Sequence, residues 1–228
     1  MALWYLTRAT GATALVLLTL SVALGVVNVE RFASPRFPRF VVDGWHRTVS
    51  LLVCVLLAVH VVTTVVDGYA PIRIADVVIP FVSTYRPLWL GLGALALDLL
   101  VALIVTSLLR ERIGVRAWRA VHWAAYACWP LAFLHGLGTG SDIRAGWVTW
   151  VALGCAAVVL GAVAVRLADR AIARQRRIGA VAALVAVVLG VAVWLPSGPL
   201  AKGWAEKAGT PASLLGGKHT TTARRTTP

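Results

Sequence analysis

Six stretches of the chain, 10–28, 44–66, 88–109, 117–138, 146–166 and 178–195, are each apolar and long enough to cross a lipid bilayer as a helix. A hydrocarbon core of about 30 Å takes roughly 20 apolar residues per helical span. Backbone inside lipid must also satisfy its own hydrogen bonds, which a helix does within a single segment. The runs therefore predict an all-α integral membrane protein, a bundle of six transmembrane helices. The composition agrees, since 59% of the 228 residues are hydrophobic and only 14% are charged, with a mean hydropathy of +0.82; an ordinary soluble domain is far more polar. The first run follows Arg8 and contains Ser21-Val22-Ala23, features of a cleaved secretion signal. Its length and the arginines crowded beyond its far end favour a retained span instead.

A net charge of +13 would suggest nucleic acid in a soluble protein. Here the basic residues sit in short loops between spans, so nucleic acid is not an expected partner and the charges report orientation. Loops one, three and five carry Arg31, Arg36 and Arg39, then Arg110, Arg112, Arg116 and Arg119, then Arg166, Arg170, Arg174, Arg176 and Arg177, twelve in all. The opposite side carries four before the tail is reached: Arg8, Arg73, Arg86 and Arg144. Cytoplasmic loops hold the excess of Lys and Arg, which predicts a multi-pass cell-membrane protein with both termini extracytoplasmic. The second loop, 67–87, is too apolar for a solvated linker, with Ile72, Ile74, Val77, Val78, Ile79 and Phe81. It is expected to lie along the outer interface as a short amphipathic cap. The tail, 196–228, is rich in Gly, Pro, Thr and Ala and has no apolar periodicity, so it is expected to be largely disordered.

Four of the five histidines, His46, His60, His122 and His135, fall on only the second and fourth spans. An ionisable side chain inside a membrane is costly, and a functional role is the default reading. Neutral imidazole is a good axial ligand for heme iron. His46 and His60 are 14 residues apart, about 21 Å along a helix, and His122 and His135 are 13 apart, about 20 Å. One returning helix separates the two spans, so they run parallel. His46 can face His122 at the cytoplasmic end and His60 can face His135 at the outer end, each pair clamping one heme. Angular phase is less consistent. Fourteen residues return His60 to within about 40° of His46, whereas thirteen leave His135 about 140° from His122 on an ideal helix. The fourth span must therefore bend or overwind, or the hemes must approach it from different sides; Pro130 lies between its histidines.

The remaining residues fill in the bundle. Cys54, Cys128 and Cys155 lie within spans and read as small packing residues. Arg47 and Arg119 neighbour the inner histidines and suit heme propionates through charge-assisted hydrogen bonds, with snorkelling to lipid phosphates as the alternative. Tyr85, Arg86 and Arg144 are similar candidates at the outer end. Asp98 falls mid-span, as a protonated acid bonded to a backbone carbonyl or as part of a proton relay. Gly11, Gly25, Gly91 and Gly93 admit a close approach of helices or of a porphyrin. Trp4, Trp89, Trp147 and Trp194 read as interfacial anchors.

At Trp45-His46-Arg47 with His60, and at Trp118-Arg119-x-x-His122 with His135-Gly136, the sequence resembles the ferric reductase-like transmembrane family. That family includes the membrane halves of NADPH oxidases and the heme subunit of the bacterial periplasmic methionine sulfoxide reductase system. Supporting pieces are Tyr85-Arg86-Pro87-Leu88-Trp89-x-Gly91-Leu92-Gly93 and Gly140-Ser141-Asp142, and the likeness covers roughly residues 5–165. It implies two stacked b hemes ligated by the four histidines, with electrons flowing from the cytoplasm outwards. The expected division is a diheme domain over 1–166, a basic cytoplasmic loop and additional sixth span over 167–195, and the tail over 196–228.

In the family's reductases and oxidases a flavin and nicotinamide domain follows the heme helices. The 228 residues contain no glycine-rich phosphate loop in a strand–helix context. The chain thus reads as an electron-transfer subunit served by a cytoplasmic-side donor protein or quinol and emptied by an extracytoplasmic redox acceptor. A flavin, if one takes part, sits in a partner or at the membrane surface. The competing readings are a quinol-coupled respiratory cytochrome b and a heme-free proton or metal transporter built on the same histidines.

Overall fold

The computed structural model describes residues 2–29, 38–140, 146–168 and 174–215. The expectations placed on Arg31, Arg36, Ser141, Asp142, Arg144, Arg170 and the tail from 216 onwards lie outside the described residues. The described chain is helical throughout: α1 (Ala2–Val29), α2 (Arg39–Val66), α3 (Ile74–Val78), α4 (Pro87–Leu108), α5 (Arg110–His122), α6 (Ala125–Thr139), α7 (Gly146–Ala168), α8 (Arg174–Ser197), α9 (Trp204–Lys207) and a 3₁₀ turn at Ala212–Leu214. Five helices, α1, α2, α4, α7 and α8, are individually long and apolar enough to cross a membrane. The chain is an integral membrane helical protein.

Small and hydroxylic residues bring α1 and α2 together. The buried positions of α1 are Thr10, Ala14, Thr19, Ser21 and Val26, the residue types that let membrane helices approach closely. Hydroxyl pairs tie the two helices at both ends, Thr7 Oγ1 to Thr63 Oγ1 at 2.8 Å and Ser21 Oγ to Ser50 Oγ at 2.8 Å. α4 packs along α6, and α1 also touches α6 and α7. There Trp129 donates its indole N–H to Thr19 Oγ1 over 2.8 Å and packs with Cys155 and Val159. α1 is thus the spine: α2 leans on it from one side, and the α4–α6 pair and α7 from the other.

The expected fourth span, 117–138, is divided between α5 and α6, and the division narrows the angular mismatch. Around Trp123 and Ala124 the backbone bonds run i to i−3: Ala124 N–H to Val121 O, Tyr126 N–H to Trp123 O and Ala127 N–H to Ala124 O, at 2.8–3.1 Å. Such 3₁₀ winding turns each residue by about 120° instead of 100° and raises it about 2.0 Å instead of 1.5 Å. Over about four residues it recovers about 80° of the 140° and adds about 2 Å of length. The histidine separation on this strand of the bundle becomes about 21.5 Å, in line with the 14-residue step on α2. Pro130, which lacks an N–H, lies within α6.

The segment between α2 and α4 behaves as the sequence suggested. α3 lies against α4 and leaves Ile74, Val78, Ile79, Phe81 and Val82 exposed at 43–74%, an apolar rim suited to the membrane interface.

Two expectations are corrected. Residues 196–215 are ordered, against the largely disordered tail: Pro199 and Ala208 are buried, and Trp204 packs on Trp89 and Trp194 at 5.3 and 5.7 Å. Trp89 and Trp194 stack on each other at 5.0 Å, so these two belong to an inward aromatic cluster and not to a lipid-facing belt. The cause of both is Arg86. It is only 3% exposed and donates to Gly138 O, Thr139 O and Thr210 Oγ1 at 2.9–3.0 Å, while its backbone N–H reaches Gly209 O at 3.0 Å. This hub joins the start of α4, the end of α6 and the tail, and it explains why Arg86 tolerates a left-handed φ of 44°. It also places both described ends of the chain at one end of the bundle.

Candidate functional site

The histidines lie on α2, at the end of α5 and on α6, and among the described residues α2 and α6 do not pack extensively on one another. α2 leans on α1 while α6 is held by α4 and α1, and a cavity or slot of about 350 Å³ lies among them, lined by residues of α1, α2, α4, α6 and α7 and of the segment between α2 and α4. Ligand pockets fall in this range of roughly 300–1,000 Å³. His60 and His135 meet across the slot with ring centroids 6.5 Å apart and planes at 87°. Towards the other end of the bundle lie His46, on α2, and His122, at the end of α5.

Each ring is aimed by a backbone carbonyl. His60 Nδ1 lies 2.8 Å from Thr7 O, His46 Nδ1 lies 3.0 Å from Ser21 O, and His135 Nδ1 lies 2.9 Å from Trp89 O. A carbonyl can only accept, so Nδ1 carries the proton in all three and Nε2 presents a lone pair. This is the second-shell arrangement that orients a metal-ligating imidazole and raises its basicity. His122 differs. Its Nδ1 is buried and unpartnered, and its ring stacks on Trp118 at 4.8 Å.

Three of the glycines noted in the sequence seat these rings. Gly11 and Gly25 of α1 lie against His60 and His46, and Gly93 of α4 lies against His135, while Gly91 makes room for Phe81. Which partner each glycine admits depends on the helix opposite, and that is not written in the glycine's own neighbourhood.

The candidate propionate partners sort differently from expectation. Arg47 and Arg119 are exposed and have no protein partner among the described residues. Arg86 is engaged by carbonyls and a hydroxyl, which makes it structural. Arg8 lines the slot instead, stacked on Trp4 at 4.0 Å; the sequence reading had counted it only as a topology charge. Tyr85 also lines the slot, and burial pushes its phenol above the ordinary value despite Arg86 and Arg8 nearby. It therefore keeps its proton at neutral pH and can donate. Asp98 is half-buried, faces away from the slot lining and makes no hydrogen bond among the described residues, so the expected carbonyl bond is not seen.

A family model described as "Ferric reductase like transmembrane component" matches residues 10–133. The chain belongs to this family. The match spans His46, His60 and His122 and stops two residues short of His135. No curated protein and no solved structure matches the chain. Membership makes this ferric reductase-like chain a transmembrane electron-transfer component.

Family members of this kind imply heme, and the residues present fit one. The rings of His60 and His135 stand 6.5 Å apart, centroid to centroid, each with Nδ1 engaged by a carbonyl, which leaves both Nε2 atoms as the nitrogens that would hold a metal. The slot beside them is lined mainly by apolar side chains and the small residues Gly11, Ala12, Ala14, Gly93 and Ala94. Among the described residues no three His, Cys, Asp or Glu side chains converge as a bare metal ion would need. A pair of opposed imidazoles suits an iron whose other four ligands come with the cofactor.

Proposed function

We propose that this ferric reductase-like chain is a diheme b-type cytochrome, the membrane subunit of a reductase system that takes electrons from a cytoplasmic-side donor and delivers them to an extracytoplasmic acceptor. The observation that carries the reading is the opposition of His60 and His135 across the slot at 6.5 Å, each with Nδ1 spent on a carbonyl. In this reading His60 and His135 hold one heme and His46 and His122 the other. Reversible one-electron chemistry at iron is what the cofactor supplies.

The chain's own residues do the rest. Thr7, Ser21 and Trp89 fix three imidazoles in the ligating tautomer. α1 and α4 hold α2 and α6 apart so that a flat ring fits between them. Apolar slot residues exclude water and so favour the less charged reduced state. Arg47 and Arg119 at one end, and Arg8 and Tyr85 at the other, supply the cation or donor that a carboxylate requires. In this reading the end of α5 with α6 makes a sixth crossing, and the twelve arginines of the odd loops support both termini outside the cell membrane.

The test is a reduced-minus-oxidised visible spectrum of detergent-purified protein with a pyridine hemochrome count, repeated for His46→Ala and His135→Ala. About two b hemes per chain are expected, with each substitution removing or perturbing one. A colourless protein from heme-replete cells would overturn the reading in favour of a transporter, and strict dependence of heme reduction on added quinol would reassign the donor.

A further inference from the structure

Three of the four candidate ligands share one local device. In each case the carbonyl that receives Nδ1 stands four residues before the glycine that receives the ring: Thr7 and Gly11 for His60, Ser21 and Gly25 for His46, Trp89 and Gly93 for His135. Residues i and i+4 lie one above the other on a helix face. Removing the Cβ at i+4 therefore uncovers the carbonyl at i, whose second lone pair is still available. A Cβ at Gly11 would fall 2.9 Å from His60 Cε1, one at Gly25 would fall 3.6 Å from His46 Cε1, and one at Gly93 would overlap the His135 ring.

The fourth position lacks the device. The two seats on α1 are 14 residues apart, and the overwound fourth strand gives its histidines the same separation in depth. The same step along α4 moves the Trp89/Gly93 seat to Leu103/Ser107. Ser107 carries a side chain, whose oxygen accepts the Trp118 indole N–H at 3.2 Å. The Leu103 and Ala102 carbonyls are covered by the Thr106 hydroxyl at 3.3 and 2.7 Å. At this depth His122 has no carbonyl to take, and its Nδ1 is the one buried side-chain polar atom among the described residues without a partner.

We propose that His122 is the exchangeable member of the four axial ligands, so that the iron shared by His46 and His122 is the one a small neutral ligand can reach. The proposal rests on the diheme reading. Loss of an outer-shell partner typically costs 10–100-fold in metal affinity, and an imidazole held at one nitrogen only can rotate about its side-chain bonds. The other three rings are each held at Nδ1 by a carbonyl, and His60 and His135 cannot turn without leaving their glycine seats.

Carbon monoxide, which binds ferrous heme only where an axial position opens, is the probe. Heme-loaded, dithionite-reduced full-length protein is titrated with CO after its heme content is counted. One CO per two hemes is expected in the natural chain. His122→Ala keeps one CO site with at least tenfold faster uptake, because the ligand that must leave is gone. Gly93→Ala, which unseats His135, adds a second site. If Gly93→Ala does not fold, His135→Ala serves in its place.

Two hemes that both refuse CO in the natural chain, or both take it equally, would overturn the assignment, as would a second CO site appearing in His122→Ala. A chain that carries no heme fails the diheme reading itself, an outcome the prior heme count separates from the others.

Discussion

A carboxylate with 2% of its residue surface exposed needs donors close at hand, and Asp76 finds them in its own turn. The Arg73 backbone N–H lies 2.9 Å from one oxygen and the Arg73 guanidinium 3.1 Å from the other. Burial by itself raises the acid's pKa, but these Arg73 donors and the Ser83 hydroxyl together outweigh it and hold the carboxyl below its ordinary value. A lowered folded-state pKa means stabilisation that is complete above the unfolded value of about 3.9 and is lost as pH falls through the folded one. The α3 turn should therefore be insensitive to pH between 5 and 8, on the scale of a carboxylate titrating near 3.9, and loosen only in stronger acid. Asp76→Asn should loosen it throughout the range where the carboxylate is ionised, by about 1–3 kcal/mol, and should remove the acid sensitivity. Hydrogen exchange of the amides from 73 to 79 reads both. Equal exchange in the variant and the natural chain would show that the ion pair is not what holds the turn.

At the scale of helices, the parts legible in the sequence are those written as periodicity or spacing. Apolar runs marked the spans, and the 14-residue step on one span against the 13-residue step on another marked four histidines at two matching depths. The mismatch in angle was legible as a problem, not as its solution. Trp123 and Ala124 keep right-handed helical dihedrals, and nothing in Trp-Ala-Ala signals a change from i−4 to i−3 bonding. Arg86 was misplaced because its partners lie 52 and 124 residues away in sequence. The order of residues 196–215 was missed for the same reason: their composition is that of a linker, and what holds them is Trp89, Arg86 and Gly138. Arg8 was missed because its charge had been assigned to topology. The overwound turn makes a prediction of its own. One alanine inserted between Ala124 and Ala125 rotates His122 by about 100° against His135. It should halve the heme content while the heme between His60 and His135 stays, as a hemochrome count will show. Full retention of both would mean that the phase of the two histidines is immaterial.

For the whole molecule, Arg86 ties the start of α4 and the end of α6 to the segment that follows α8. Arg86→Ala removes donors from two carbonyls and a hydroxyl, each worth about 1–3 kcal/mol when left buried and unpaired. It should release the segment after Ser197, so that trypsin cuts at Lys202 and Lys207 and tryptophan emission shifts to the red as Trp204 leaves its cluster. An uncut segment would place the anchoring in Trp204 alone. α8, by contrast, is hardly held along its length. None of its most apolar stretch is buried, and it meets the bundle through Trp194 and Leu195, against Leu137 and Ala152. Translation order gives this a consequence. The four histidines and the helices that carry them are all made before α8 and the segment that locks onto Arg86, so α1 to α6 can pack on one another before that clasp exists. The clasp forms only when the residues around 204–210 arrive, which makes it a late step of biogenesis that follows the packing of the helices it ties together.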